Sequence, residues 1–234
     1  MSSGARYDGI ADWYDTEFQP APLESETWSI VGRLLGEPCG SLLDVGCGTG
    51  SYTAALAERG WDVTGVDVSE DMLRRAQDRG VRTVRADGAS LPFGDASFDV
   101  MFTAFGAVPF VADSAAIMAE AARVVRPGGR WVFATTHPIR WSFPDDPGPD
   151  GLTATMTYWD RTPYVEFADD GTPTYVEHHR TLGDRVREIA AAGLRLVDVV
   201  EPEWPDGRTT VWGQWSPLRG ALFPGTAIFV CRRP

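Results

Sequence analysis

The chain has 234 residues, 43% of them hydrophobic and 23% charged, with a formal net charge of −12 and a pI of about 4.6. This length suffices for one large α/β core, expected as a single domain over 1–234, and no apolar run is long enough to cross a bilayer. The acidic balance, with no compensating basic stripe, argues against a nucleic-acid partner, and the scattered Cys39, Cys47 and Cys231 suggest neither a disulfide frame nor a metal site. The N-terminus lacks a charged region followed by an apolar one, so a cytoplasmic location is expected.

Two helical stretches come first, Ile10 to Phe18 and Pro22 to Leu35, the second opened by proline and closed by Gly36. Residues 1–36 are expected to lie over the ligand edge of a sheet. Strand 41–45 runs into a turn whose glycines at 46, 48 and 50 let the backbone bend sharply and approach a ligand. A helix over 50–59 follows, closed by Gly60. A dinucleotide fingerprint needs a third glycine where Ser51 stands, and a lone glycine-rich turn reads equally as a tight connection.

The next strand, 61–67, ends in Asp67, placed where a carboxylate can accept from both ribose hydroxyls. Ser69 caps a helix over 69–79 with acids in its first turn, and Arg74, Arg75 and Arg79 read as its solvated face. Strand 81–86 again ends in an acid, Asp87. Each Asp alone is as readily a cap or loop residue; three strand ends in succession carrying such groups point to a ligand.

Phe98 to Ala104 is apolar on both faces, as a central parallel strand should be. An alanine-rich helix from Ser114 to Val125 stops at Pro127-Gly128-Gly129 before a strand over Arg130 to Thr136. Residues 138–181 then break the alternation, with Trp141, Phe143, Tyr158, Trp159, Tyr164, Phe167 and Tyr175 among prolines, glycines and acids. So many rings argue against disorder and for a cap, with a hairpin expected from Thr153–Trp159 paired with Pro163–Phe167 or Thr174–His178. These rings also suffice as the insertion's own core. A helix from Leu182 to Ala192 and strands 193–200 and 226–231 complete the chain. Residues 204–219 between those strands read as an acceptor wall or as a plain crossover.

The combination Asp44-Val45-Gly46-Cys47-Gly48-Thr49-Gly50, Gly65-Val66-Asp67-Val68-Ser69, Ala86-Asp87, Leu91-Pro92-Phe93, Ser97-Phe98-Asp99-Val100 and Arg123-Val124-Val125-Arg126-Pro127-Gly128-Gly129 resembles the class I S-adenosylmethionine-dependent methyltransferases, small-molecule type and methyltransferase domain 11-like. The resemblance runs from about Tyr7 to the C-terminus. It implies a doubly wound α/β fold with a mostly parallel seven-stranded sheet ordered 3-2-1-4-5-7-6, S-adenosylmethionine as cofactor and S-adenosylhomocysteine as product. It further implies that Gly46, Gly48 and Gly50 pass close to the methionine and ribose portions, that Asp44, Cys47 and Thr49 of the same turn are cofactor-binding, and that Asp67 takes the ribose hydroxyls. Val68 and Met72 would flank the adenine and Asp87 with Gly88 would read it. Backbone groups of Thr103, Ala104 and Phe105 would hold the ammonium, and Tyr7 and Tyr14 match the lid; interfacial packing accounts equally for the two tyrosines.

A sulfonium methyl is already a good electrophile, so the protein must hold a nucleophile in line and exclude water. If a base is needed, His137 at the carboxyl edge is the first choice, against its reading as a loop anchor before Pro138. Of His178 and His179 at most one can face a pocket if the chain is extended. Many relatives carry a histidine after strand four; Gly106-Ala107-Val108-Pro109-Phe110 stands there. No acid or asparagine followed by Pro-Pro-Tyr follows that strand, which counts against methylation of nucleic acid bases or glutamine side chains. Methyl transfer to oxygen, nitrogen or carbon of a small, partly apolar or aromatic molecule is expected, oxygen slightly favoured. The rival is a protein on the same scaffold that binds the adenosyl cofactor without transferring its methyl, either a binding module or a catalyst that uses the cofactor only as scaffold or charge. A nicotinamide dehydrogenase is disfavoured by Ser51 and Asp87.

Overall fold

The computed structural model describes residues 7, 8, 11, 14, 15, 26–211 and 213–234. The helix expected over Ile10–Phe18 lies largely outside the described residues, as do the start expected at Pro22 and the side chain of Trp212. Five parallel strands come first: β1 (Ser41–Val45), β2 (Asp62–Asp67), β3 (Arg82–Arg85), β4 (Phe98–Ala104) and β5 (Val125–Thr136). A hairpin of β6 (Tyr164–Phe167) and β7 (Pro173–Glu177) stands apart, and β8 (Arg195–Val200) and β9 (Thr226–Arg232) complete the main sheet. Its order is β3-β2-β1-β4-β5-β9-β8, with β9 antiparallel to both neighbours. Without the two hairpin strands in the count this is the expected 3-2-1-4-5-7-6.

The alternation of strand side chains divides the core between the two faces. Leu43, Val45, Met101, Trp131 and Phe133 pack toward α4 (Ser114–Val124) and α5 (Leu182–Ala191). Leu42, Val63, Val100, Phe102 and Val132 pack toward α1 (Glu26–Leu35) and α2 (Ser51–Glu58). Trp28, Val31 and Leu35 bury one stripe of α1 there, at the spacing of a helix face. Between β2 and β3, α3 (Glu70–Asp78) is capped by the Ser69 hydroxyl, which accepts from Met72 N. Among the described residues no helix is long and apolar enough to cross a membrane.

β5 begins at Val125, five residues before the expected start. The Pro-Gly-Gly stretch stays tied to the C-terminal strand, with Gly128 N donating to Arg233 O and Arg233 N to Gly129 O. The cap hairpin also differs from expectation. Thr153–Trp159 forms no strand: the amides of Thr155 and Met156 both turn back to Ser142 O. The hairpin is β6 with β7, closed at Gly171, whose φ of 80° suits a glycine turn.

The segment expected as wall or crossover packs against the cap. Arg219, fully buried at the end of the short α6 (Pro217–Gly220), donates to the carbonyls of Pro144 and Asp146 at 2.9 and 2.8 Å. Its guanidinium lies 5.2 Å from the Trp215 ring centre and 5.3 Å from that of Phe223, so aromatic faces stabilise a charge that burial penalises.

Candidate cofactor and acceptor site

Where β1 ends, the amides of Gly46 and Cys47 both donate to Val66 O at 2.7 and 3.0 Å, binding the turn to β2. Gly46 must be bare, because a Cβ there would sit 2.9 Å from Ala107 N in the loop after β4. At Gly48, with φ of 54°, a Cβ would meet nothing within 4 Å, so this glycine borders open space that a ligand can enter. Cys47 instead turns toward β2, where a Cβ on Gly65 would lie 2.9 Å from its sulfur. The Thr49 hydroxyl beside it is buried without a partner.

Two carboxylates face this turn. Asp44, 2% exposed, accepts from the Thr53 hydroxyl at 2.6 Å through Oδ2, while its Oδ1 is buried and unsatisfied. Burial, reinforced by the nearby Asp67 and only partly opposed by Thr53, pushes the Asp44 carboxyl up to about 7. Half-buried Asp67 accepts from Gly48 N at 3.0 Å and Ser69 N at 2.9 Å, yet desolvation still raises it above the usual carboxylate range. Neither makes an ion pair among the described residues. Such a pair suits a ligand that brings positive charge and hydrogen-bond donors. Val68 and Phe105, 50% and 38% exposed, flank the turn as apolar surfaces. Phe105 and Ala107 hold positive φ of 51° and 33°, a strain that tends to gather at ligand-binding loops. Met72 is buried, Gly88 packs against Val45, and Asp87 accepts from Ala89 N at 2.9 Å. Thr103 turns its hydroxyl to Phe102 O, Ala104 is half-buried, and Phe105 N donates to Ala134 O.

Residues of the N-terminal segment are tied to this turn. The Ser69 hydroxyl donates to Asp8 at 2.8 Å, and Arg79 donates both to Thr49 O at 3.0 Å and to Asp15 at 2.5 Å. Arg79, read from sequence as solvated helix surface, thus links the turn to Asp15 of the N-terminal segment; a cation in a last helical turn looks the same in sequence whether or not an acid lies across from it. Tyr7 meets Tyr14 and Phe110 edge-on at 6.2 and 6.0 Å. Burial, and the neighbouring Tyr14 and Asp67, raise its phenol. The aromatic contacts continue into the cap, from Phe110 to Tyr175 at 5.5 Å, to Tyr164 at 6.1 Å and to Trp141 at 6.0 Å. Buried Glu177 accepts from the Tyr175 hydroxyl at 2.8 Å and from Arg140 at 3.0 Å, giving this wall a polar head. No single sequence pattern marks Phe110 or Glu177, because only packing of the cap over β4 brings them beside Tyr7.

The candidate base His137 lies at the start of the 138–181 insertion with both ring nitrogens partnered. Its Nδ1 accepts from Ile139 N at 3.1 Å, and its Nε2 lies 2.7 Å from Glu201, so a neutral ring with Nδ1 accepting donates Nε2–H to that carboxylate. Burial lowers its pKa despite Glu201. Both nitrogens are engaged and no lone pair is left to take a proton. His137 anchors the turn that starts the cap. His179 donates Nε2–H to Tyr158 O at 2.8 Å, while His178 is held by its backbone N–H to Pro109 O with its Nε2 buried and unpartnered.

A family model described as a methyltransferase domain matches residues 43–133, the segment that carries the glycine turn, Asp67 and β4. A solved S-adenosylmethionine-dependent methyltransferase from Mesorhizobium loti superposes with a TM-score of 0.74 at 29% identity, covering 90% of this chain and 99% of that one. Over residues 43–133 and in its fold the chain is similar to the S-adenosylmethionine-dependent methyltransferases. Among curated methyltransferases, the demethylmenaquinone methyltransferase of Tropheryma whipplei is 36% identical over 146 residues, 59% of this chain and 61% of that protein. The 27-O-demethylrifamycin SV methyltransferase of Amycolatopsis mediterranei is 34% identical over 151 residues, 54% of this chain and 55% of that protein. The match spans less than two thirds of either relative's length.

Proposed function

We propose that this methyltransferase transfers the methyl group of S-adenosylmethionine to a small, partly apolar or aromatic molecule, with oxygen the favoured acceptor atom. The observation that carries the reading is the pair Asp44 and Asp67, desolvated carboxyls that have no ion-pair partner among the described residues, at the turn whose Gly48 borders open space. Bound there, the cofactor supplies an electrophilic methyl. Asp67 then accepts from the ribose hydroxyls while Asp44 and the backbone of Thr103, Ala104 and Phe105 balance the ammonium. The turn Gly46, Cys47, Gly48, Thr49 and Gly50 supplies the close backbone approach, Val68 and Met72 flank the adenine, and Asp87 with Gly88 reads its edge.

On this reading residues 1–36 are the lid and 138–181 the cap of one domain. Tyr7 and Tyr14 close over the methionine end and exclude water, which strengthens the field acting on the reacting centre. Phe110, Tyr175, Tyr164 and Trp141 favour a flat, apolar acceptor, and the Tyr175–Glu177 head orients a polar group on it. The two curated relatives are named for small acceptors, one of them for an O-demethyl compound. The test is incubation with methyl-labelled cofactor and a panel of hydroxylated aromatic acceptors, beside calorimetry with S-adenosylhomocysteine. Label in a small-molecule product is expected. Tight S-adenosylhomocysteine binding with no transfer to any acceptor would favour the non-transferring reading instead.

A further inference from the structure

A cavity of about 550 Å3 opens between the cap and α5, within the size range of small-molecule sites. Its lining contains none of Tyr7, Phe110, Trp141, Tyr164, Tyr175 or Glu177, and it adjoins the acceptor wall through His178 and Arg180, which also line the small cleft beside Trp141 and Glu177. Its frame is built. Arg180 donates to Ala112 O at 2.6 Å, His179 O at 2.9 Å and Glu188 at 3.3 Å, lacing the loop after β4, the cap and α5 together. Arg161 grips Asp184 through two nitrogens at 2.9 and 3.0 Å. Although burial opposes it, hydrogen bonds from Thr181, Arg187 and Arg161 hold the Asp184 carboxyl at about 2, so this side of the frame stays ionised.

Two features are left for a ligand. His178 lines the cavity at 8% exposure, with its buried Nε2 unpartnered; an imidazole nitrogen so placed costs free energy until something meets it. Arg161, Arg180 and Arg187 face only Asp184 and Glu188 here, a local positive excess in a chain of net charge −12. The Arg187 side chain, 72% exposed, lines the opening and makes one bond among the described residues, to Asp184. Ala112 and Pro163 offer apolar surface between these groups.

We propose that this cavity is a second binding site, for a small hydroxylated organic anion whose carboxylate meets Arg187 and whose hydroxyl meets His178. It stands independently of methyl transfer. Occupation would bear on the acceptor wall through His178 N, which donates at 2.7 Å to Pro109 O, next to Phe110.

The probe is 4-hydroxybenzoate, with 4-hydroxybenzyl alcohol as the neutral control, both titrated into the full chain by calorimetry and ligand-observed NMR. The benzoate is expected to bind at least tenfold more tightly than the alcohol. Arg187→Ala, a change at an exposed side chain, should weaken it about tenfold, the loss of one charge-assisted contact. His178→Phe should remove binding, whereas S-adenosylhomocysteine affinity stays within twofold in both variants and so reports an intact fold. No benzoate binding to the unmodified protein would overturn the proposal. Equal binding by Arg187→Ala or by the alcohol would do the same, as would displacement of the benzoate by S-adenosylhomocysteine. Retained S-adenosylhomocysteine affinity in such a case would leave the cofactor reading untouched.

Discussion

Asp44 allows the cofactor reading to be tested by pH alone. Its carboxyl is pushed from 3.8 to about 7 in the cofactor-free protein, so ionising it within the fold costs about 4 kcal/mol as an upper bound. The folded state keeps a proton between about pH 4 and 7 that the unfolded chain has released, so this group makes the free protein less stable as pH rises through that window. The ammonium that S-adenosylmethionine and S-adenosylhomocysteine share reverses the preference, because it stabilises the ionised carboxyl and gives the unsatisfied Oδ1 a charge-assisted partner. With a pKa of about 7, roughly one tenth of the sites are ionised at pH 6 and nine tenths at pH 8. Affinity for S-adenosylhomocysteine should therefore rise about tenfold from pH 6 to pH 8, with up to one proton released on binding at the lower pH. Calorimetry in two buffers of different ionisation enthalpy measures both quantities. Asp67 is raised in the same direction, so Asp44→Asn is the control: it should bind more weakly at pH 8 and flatten most of the dependence. Equal affinity at the two pH values, with no proton exchanged, would refute the assignment.

Three further outcomes follow from the geometry. Asp67→Ala should lower S-adenosylhomocysteine affinity by about 100-fold, two hydrogen bonds to a charged acceptor at roughly 1.5 kcal/mol each; calorimetry showing native affinity would remove the basis for the whole cofactor site. Arg79→Ala cuts the link between Thr49 O and Asp15 and should weaken cofactor affinity about fivefold, consistent with a partly exposed pair worth about 1 kcal/mol. A KM for the cofactor equal to that of the unmodified enzyme would show that the clamp does not hold the lid. His137→Ala should lose about 1–3 kcal/mol of stability, seen as a fall in Tm of a few degrees, and leave the pH profile of kcat unchanged. A lost or shifted limb in that profile would restore His137 as a base.

Strand and helix positions were legible because they depend on short-range patterning. Leu42-Leu43-Asp44-Val45 before three alternate glycines, and the apolar run Phe98–Ala104, leave few local alternatives, and the observed strands start or end within one or two residues of expectation except at β5. There the Pro-Gly-Gly stretch continues the ladder because Arg233 lies alongside it, a neighbour 105 positions away from Gly128. The cap hairpin failed for the same reason: Thr153–Trp159 has strand-forming residues, but the Ser142 carbonyl captures its amides.

The sequence by itself determined where the strand tips fall, and with them the turn at 46–50 and the acids at 44, 67 and 87, because alternation and glycine placement act over a few residues. Only the tertiary structure decided which of the charged and ionisable groups are free. His137 looks like a base until Glu201 and Ile139 take its nitrogens, and Arg79 looks solvated until Asp15 lies across from it. Whether a side chain keeps an open lone pair or an unmatched charge depends on groups 2 to 64 positions away, and chain separation carries no information about which of them folding will bring within 3 Å.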